Sequence, residues 1–100
     1  MVKHIIVWTL KDEFDQAQKA EIKENIKINL EGLKGQIPGL IDITVQINGL
    51  ASSTGDLLLD TTFESAEALK GYSVHPAHVA VADKYVRPFT GIRSCYDYEV

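Results

Sequence analysis

Lys3 to Leu10 is apolar on both of its alternating faces, apolar residues recur at every third or fourth position from Ile22 to Ile37, and at every second from Ile41 to Ile47. A period of two marks a strand and a period near 3.6 a helix, so the order of these periods restricts the fold before any other property does. In the first run both faces are largely apolar: His4, Ile6, Trp8 and Leu10 on one, Ile5, Val7 and Thr9 on the other. Such a strand is expected to be covered on both sides. Asp15, with Gln18 three residues on, forms a capping box, and Ile22, Ile26, Leu30, Leu33 and Ile37 continue at helical spacing. Gly35 and Pro38 mark the expected end of that helix. Ile41, Ile43, Val45 and Ile47 alternate with polar residues, as in a half-buried strand. A turn-rich loop from Asn48-Gly49 to Gly55 precedes a strand over Asp56 to Phe63. Ser65 is placed to cap a short helix through Tyr72, and Pro76 to open another that runs to about Arg87, before Pro88. Ile92 to Glu99 alternates once more and closes the sheet.

Strand, helix, strand, strand, helix, strand is the order of an α+β, ferredoxin-like βαββαβ sandwich, with a four-stranded antiparallel sheet and helices on one face. With 100 residues, the chain is expected to form one domain over 1–100. If His4, Trp8 and Leu59 face the helices, then Ile5, Val7, Leu58, Ile92, Tyr96 and Tyr98 lie on the bare side. An apolar sheet face of that size predicts a homodimer with two sheets face to face. The net charge of -4 argues against nucleic acid, whose protein partners carry a basic stripe. No apolar stretch approaches the roughly 20 residues needed to span a bilayer, so no membrane partner is expected. A lone Cys95 and a first segment that reads as a strand rather than a signal peptide point to a reducing, cytoplasmic setting.

Chemistry concentrates in Tyr72-Ser-Val-His75-Pro-Ala-His78, where two histidines and a phenol fall within seven residues around a proline. Proline suits the first position of a helix, which places His75 at a cap and His78 in the first turn. The positive helix end favours neutral imidazole. Two histidines are too few for a stable metal site, which wants three or four ligands, so no metal is expected. Cys95 faces inward by alternation and reads as a small apolar filler rather than a nucleophile. Lys19, Glu21, Lys23, Glu24 and Lys27 read as a solvated helix face, with Lys23 able to reach a cavity rim.

Val2-Lys3-His4-Ile5-Ile6-Val7, the Phe63-Glu64-Ser65 step, the Tyr72 to His78 segment and Tyr96-Asp97-Tyr98 resemble the stress-responsive dimeric α/β-barrel family over nearly the whole chain. That family includes a plant polyketide cyclase that needs no cofactor. The resemblance implies His78 as the base, Tyr72 as the group that binds and polarises a carbonyl, and Asp97 near His78 to hold its tautomer. His4 would be a further polar group of the cavity between sheet and helices, with Ile6, Trp8, Ile22, Ile26 and Leu59 as ligand-binding wall.

Several positions depart from that cyclase. Ile22, Lys23 and Ile26 stand where it has aromatic pocket residues, Leu57 where it has a histidine, and Ala80 and Ala82 where it has glycines. Each added methyl narrows the cavity, so a smaller substrate is expected. Some relatives hold magnesium through backbone carbonyls matching Lys34, Ile37 and Leu40; the loop length differs here, and that site is not carried over. Two functions are compatible with these residues. One is a cofactor-independent cyclase or lyase acting on a small carbonyl or polyketide-like compound. The other is a non-catalytic dimeric protein that binds a small molecule or protects against stress. An open pocket touching His78, Tyr72 and His4 favours the first, and a cavity filled by Trp8, Ile22 and Ile26 favours the second.

Overall fold

The computed structural model describes residues 1–100. Strand β1 (Val2–Leu10) leads into helix α1 (Gln16–Glu31), then β2 (Leu40–Gln46), β3 (Leu57–Phe63), α2 (Ala66–Val74), α3 (Pro76–Val81) and β4 (Thr90–Glu99). The strands lie in the order β2-β3-β1-β4, and every neighbouring pair is antiparallel. This is the ferredoxin-like arrangement that the order of periods predicts. No helix is long and apolar enough to cross a membrane.

Alternation along β1 builds the core. His4, Ile6, Trp8 and Leu10 are buried against the helices, where they meet Leu59 and Phe63 of β3, Val45 of β2, and Ile26 and Leu30 of α1. Full burial of each such aliphatic or aromatic side chain contributes roughly 1.5–3 kcal/mol, which is why the helices stay on this side. The other face of β1 is only half-buried, and across it Ile92, Tyr96 and Tyr98 of β4 stand exposed.

Helix α1 starts as its sequence predicts. The Asp15 side chain accepts the Gln18 N–H, and the Gln18 side chain reaches back to the Asp15 N–H. It ends at Glu31, earlier than the apolar spacing through Ile37 suggests. Tight turns take over, with Lys34 N–H donating to the Glu31 carbonyl and Gln36 N–H to that of Leu33. Turns closed three residues apart advance the chain nearly as a helix does, so Leu33 and Ile37 remain buried although the helix has ended.

The second strand also departs from simple alternation. A register shift between Leu40 and Asp42 buries Leu40 and leaves Ile41 exposed. Lys27 and Glu31 are more than a solvated face, because β2 is an edge strand with free backbone groups. Lys27 donates to the Val45 carbonyl at 2.7 Å, and Glu31 accepts the Val45 N–H at 2.9 Å. These bonds seal the sheet edge with helix side chains.

Gly39 sits at the entry to β2 with φ of 80°, and a Cβ built there would lie 2.5 Å from the Ala68 Cβ. Both the backbone and the packing against α2 exclude a side chain. Gly39→Ala is therefore expected to destabilise the fold by about 1–3 kcal/mol, read as a thermal midpoint lowered by several degrees. An unchanged midpoint would contradict this account of the turn.

Candidate functional site

The turn between α2 and α3 is set by His75. Its Nδ1 accepts the Ala77 N–H at 3.1 Å, and Pro76 occupies the first helical position, as the sequence predicts. The bend folds α3 back on α2 and brings Tyr72 and His78, on separate helices, to a ring-centroid distance of 4.1 Å. Phe63 packs edge-on against Tyr72 at 5.0 Å, and the His4 ring lies 6.3 Å from Tyr72. After α3 the chain widens into a π turn over Ala82–Val86, closed by the Arg87 N–H on the Ala82 carbonyl five residues back. The single regular helix expected from Pro76 to Arg87 is thus an α segment followed by a π segment. Ala82, Val86 and Arg87 all border the same space.

That space is a cleft of about 190 Å³ between sheet and helices. Its floor is His4, Ile6 and Trp8 of β1 with Leu59 of β3. Tyr72, Ser73 and His78 stand at one side, and Arg87, Thr90 and Arg93 complete the wall. Strand β4, which supplies Thr90 and Arg93 to that wall, is solvent-exposed along nearly its whole length.

Burial sets the protonation of the two central groups. Tyr72 is only 2% exposed, and desolvation of the phenolate pushes its pKa well above the usual tyrosine range, with the Arg93 charge opposing weakly. The phenol therefore remains a donor. Burial also pulls His78 below the ordinary histidine value of 6.5; the Ser73 backbone offsets part of this, and the charges of Arg87, His4 and Arg93 add to it. His78 is accordingly a neutral imidazole at pH 7, with a lone pair to accept a proton. Tyr72 Oη and His78 Nδ1 are both buried without a hydrogen-bond partner in the protein. An unsatisfied buried polar group costs about 1–3 kcal/mol, so two side by side mark a place where the fold sacrifices stability.

The remaining polar groups form a second cluster. His4 Nδ1 lies 2.5 Å from Asp97 Oδ1, and the Cys95 thiol donates to the same oxygen at 3.4 Å. The carboxylate accepts, so a proton of His4 sits on Nδ1. Burial, then the Asp97 carboxylate, raise the Cys95 pKa, which keeps the thiol protonated and unreactive. Nδ1, Sγ and the carboxylate oxygen lie within 4.8 Å of one another, a donor set one ligand short of a closed tetrahedral metal site. The His75 and His78 pair offers no such set, since His75 Nδ1 is engaged in the cap.

The structure brings His78, Tyr72, His4, Ile6, Trp8 and Leu59 to one cleft. Other expected positions fall elsewhere. Ile22 and Ile26 are buried in the core and do not line the cleft; of the same face of α1, only Leu30, near its C-terminal end, borders it. Lys23 does not reach the rim. Asp97 is bonded to His4 rather than holding the tautomer of His78, because the register of β4 on β1 places it directly opposite His4. Cys95 is on the helix side but exposed, so it fills no core. Arg87 and Arg93 are cleft residues that the sequence reading did not single out. Arg93, Cys95 and Asp97 share the period of two in β4, and that alternation was the available signal for Arg93.

A proton titration of His78 followed by NMR is expected to show a midpoint below 6.5, with the direction set by burial. Between the lowered folded value and 6.5 the unfolded chain binds more protons than the folded one. This contribution to stability is thus fully present above 6.5 and is lost as pH falls through the folded value. A midpoint at or above 6.5 would rule out a desolvated ring.

Residues 2–100 match the family described as the Stress responsive A/B Barrel Domain. The chain belongs to this family. Among family relatives, olivetolic acid cyclase from Cannabis sativa is 36% identical over 102 residues, covering 97% of this chain and 94% of the cyclase. A dimeric protein of ferredoxin-like fold from Bacteroides fragilis NCTC 9343 superposes with a TM-score of 0.91 at 30% identity, covering 99% of this chain and 95% of that one. Hydroxynitrile lyase from Passiflora edulis shares the fold, with a TM-score of 0.76 at 15% identity over 97% of this chain and 90% of the lyase.

Proposed function

We propose that this stress-responsive barrel protein is a homodimeric, cofactor-independent enzyme that makes or breaks a carbon–carbon bond in a small carbonyl compound, with His78 as base. The observation that carries this reading is the pairing of a neutral His78 with a protonated Tyr72, both with unpartnered polar atoms, in the wall of one open cleft. Its likeness to a cyclase over nearly the whole chain supports the same class of chemistry.

In the forward direction the His78 imidazole removes a proton from the carbon beside a carbonyl, and the electron pair moves onto the oxygen as an enolate. Tyr72 Oη–H donates to that developing oxyanion, where a preorganised donor in a dry site is most effective. The enolate carbon then attacks a second carbonyl of the same molecule, and the new alkoxide takes its proton back from the His78 imidazolium. The proton count closes without any added reagent. His4, its Nδ1–H held by Asp97, borders the cleft and orients the substrate. A cleft of about 190 Å³ is below the roughly 300–1,000 Å³ of pockets for drug-sized ligands, which favours a compact substrate over a long polyketide chain.

One observation favours the non-catalytic binding reading instead: the carboxylate that would raise the basicity of His78 is bonded to His4. A panel of small diketones, keto acids and cyanohydrins, assayed with the protein and with His78→Ala, separates the two. Turnover that requires His78 supports the enzyme, whereas binding with equal and negligible turnover in both proteins supports the binding protein.

A further inference from the structure

The cleft is electrically lopsided, and this feature is independent of the His78–Tyr72 pair. Two cations border it, Arg87 and Arg93. Arg87 is ion-paired with Asp83 one helical turn away. Arg93 has no carboxylate partner among the ion pairs of the chain. In the antiparallel register Arg93 lies opposite Trp8 and Asp97 opposite His4, and the Arg93 guanidinium reaches the Cys95 thiol between them without forming an ion pair with the carboxylate. The Arg93 charge nevertheless reaches both Tyr72 and His78, making each less ready to hold a proton. A protein of net charge -4 thus keeps a cation with no carboxylate partner in the wall of the cleft that carries the proton-handling groups.

Resting on the proposed carbonyl chemistry, we infer that Arg93 anchors a carboxylate of the substrate, which makes the ligand a small carbonyl-bearing organic acid. The planar guanidinium fork matches the two oxygens of a carboxylate in parallel hydrogen bonds. A phosphate dianion would call for a second free cation, and Arg87 is held by Asp83. Anchored on Arg93, a molecule that fits the cleft reaches Tyr72 and His78, with its apolar body over Ile6 and Leu59. Arg93 acts here as a specificity-determining residue and takes no proton.

An NMR titration at pH 7 with salicylate and salicylamide tests this, since the two differ in charge and hardly in size. The expected result is that both shift the signals of Trp8, Tyr72 and His78, with salicylate binding about ten- to a hundredfold tighter, the range of one charge-assisted contact. Arg93→Gln should bring the affinity ratio to about one, and Arg93→Lys should restore part of it. Because Arg93 is exposed, both variants should melt as the parent does. A ratio near one in the parent, or a preference for salicylate that survives Arg93→Gln, overturns the anchor and leaves the cleft reading standing. If neither compound moves the Trp8, Tyr72 and His78 signals, the cleft reading fails and the anchor fails with it.

Discussion

His78→Ala is expected to lower the rate of a carbonyl condensation or cleavage by about 10²- to 10⁴-fold, the usual contribution of a positioned general base. The fold should survive the change. His78 is only half-buried; its Nδ1 has no partner, and the variant gives up the ring's contact with the Ser73 backbone. In the parent the rate should rise with pH through a midpoint below 6.5, because only neutral imidazole accepts the proton and burial holds the His78 pKa down. The variant should lose that rising limb. Tyr72→Phe makes a useful companion, since the lost hydroxyl also has no partner in the fold. Removing one oxyanion donor typically costs about 10² to 10³ in kcat, so the rate should fall while the ring still fills its place. If His78→Ala retained full activity on a compound the protein turns over, the base would have to lie elsewhere.

Val7→Asp should convert the protein from dimer to monomer. Val7 lies on the helix-free face, paired with Leu58 on one side and Ser94 on the other, beside Ile5 and the exposed Tyr96. Covering such a face returns about 25 cal/mol for each Å² of apolar surface removed from water. A carboxylate at its centre must be desolvated without a partner, at an effective cost of several kcal/mol per ion. Twofold symmetry applies that cost twice, so the dimer dissociation constant should rise by at least about 10²-fold on the scale of tenfold per 1.4 kcal/mol. Asp60 adds to the effect. Its carboxylate is on this face already, 2.5 Å from Lys3 Nζ, and a second acid nearby has no cation left to meet. Val7 is half-buried within one protomer, so the monomer should stay folded. Sedimentation of parent and variant at micromolar concentration decides the matter, and a parent that sediments as a monomer would refute the sheet-face dimer.

How far the sequence reaches can be judged from particular residues. The capping box at Asp15 and Gln18, the cap at Ser65 and the His75-Pro76 helix start all depend on neighbours within a few positions, and each forms as its spacing predicts. The end of α1 was harder to see. Leu33 and Ile37 keep the apolar period, and only the backbone shows that tight turns rather than a helix carry it. The register shift at Leu40 and the π turn at Ala82–Val86 likewise change which side chains face inward without leaving a clear mark on composition.

The sequence by itself determined the order of elements, the buried face of β1 and the grouping of Tyr72 with His78, because periodicity and helix caps act over short spans of chain. It also carried the resemblance to the stress-responsive barrel family across nearly the whole chain. Only the tertiary structure decided that Asp97 serves His4, that Ile22 and Ile26 belong to the core, and that Arg87 and Arg93 border the cleft. His4 and Asp97 are 93 positions apart, and their meeting depends on the register of β4 against β1. A shift of one residue in that register would turn Asp97 and Arg93 to the opposite face of the sheet. Register is settled by the packing of the whole sheet against its helices, so no local pattern in the chain can specify it.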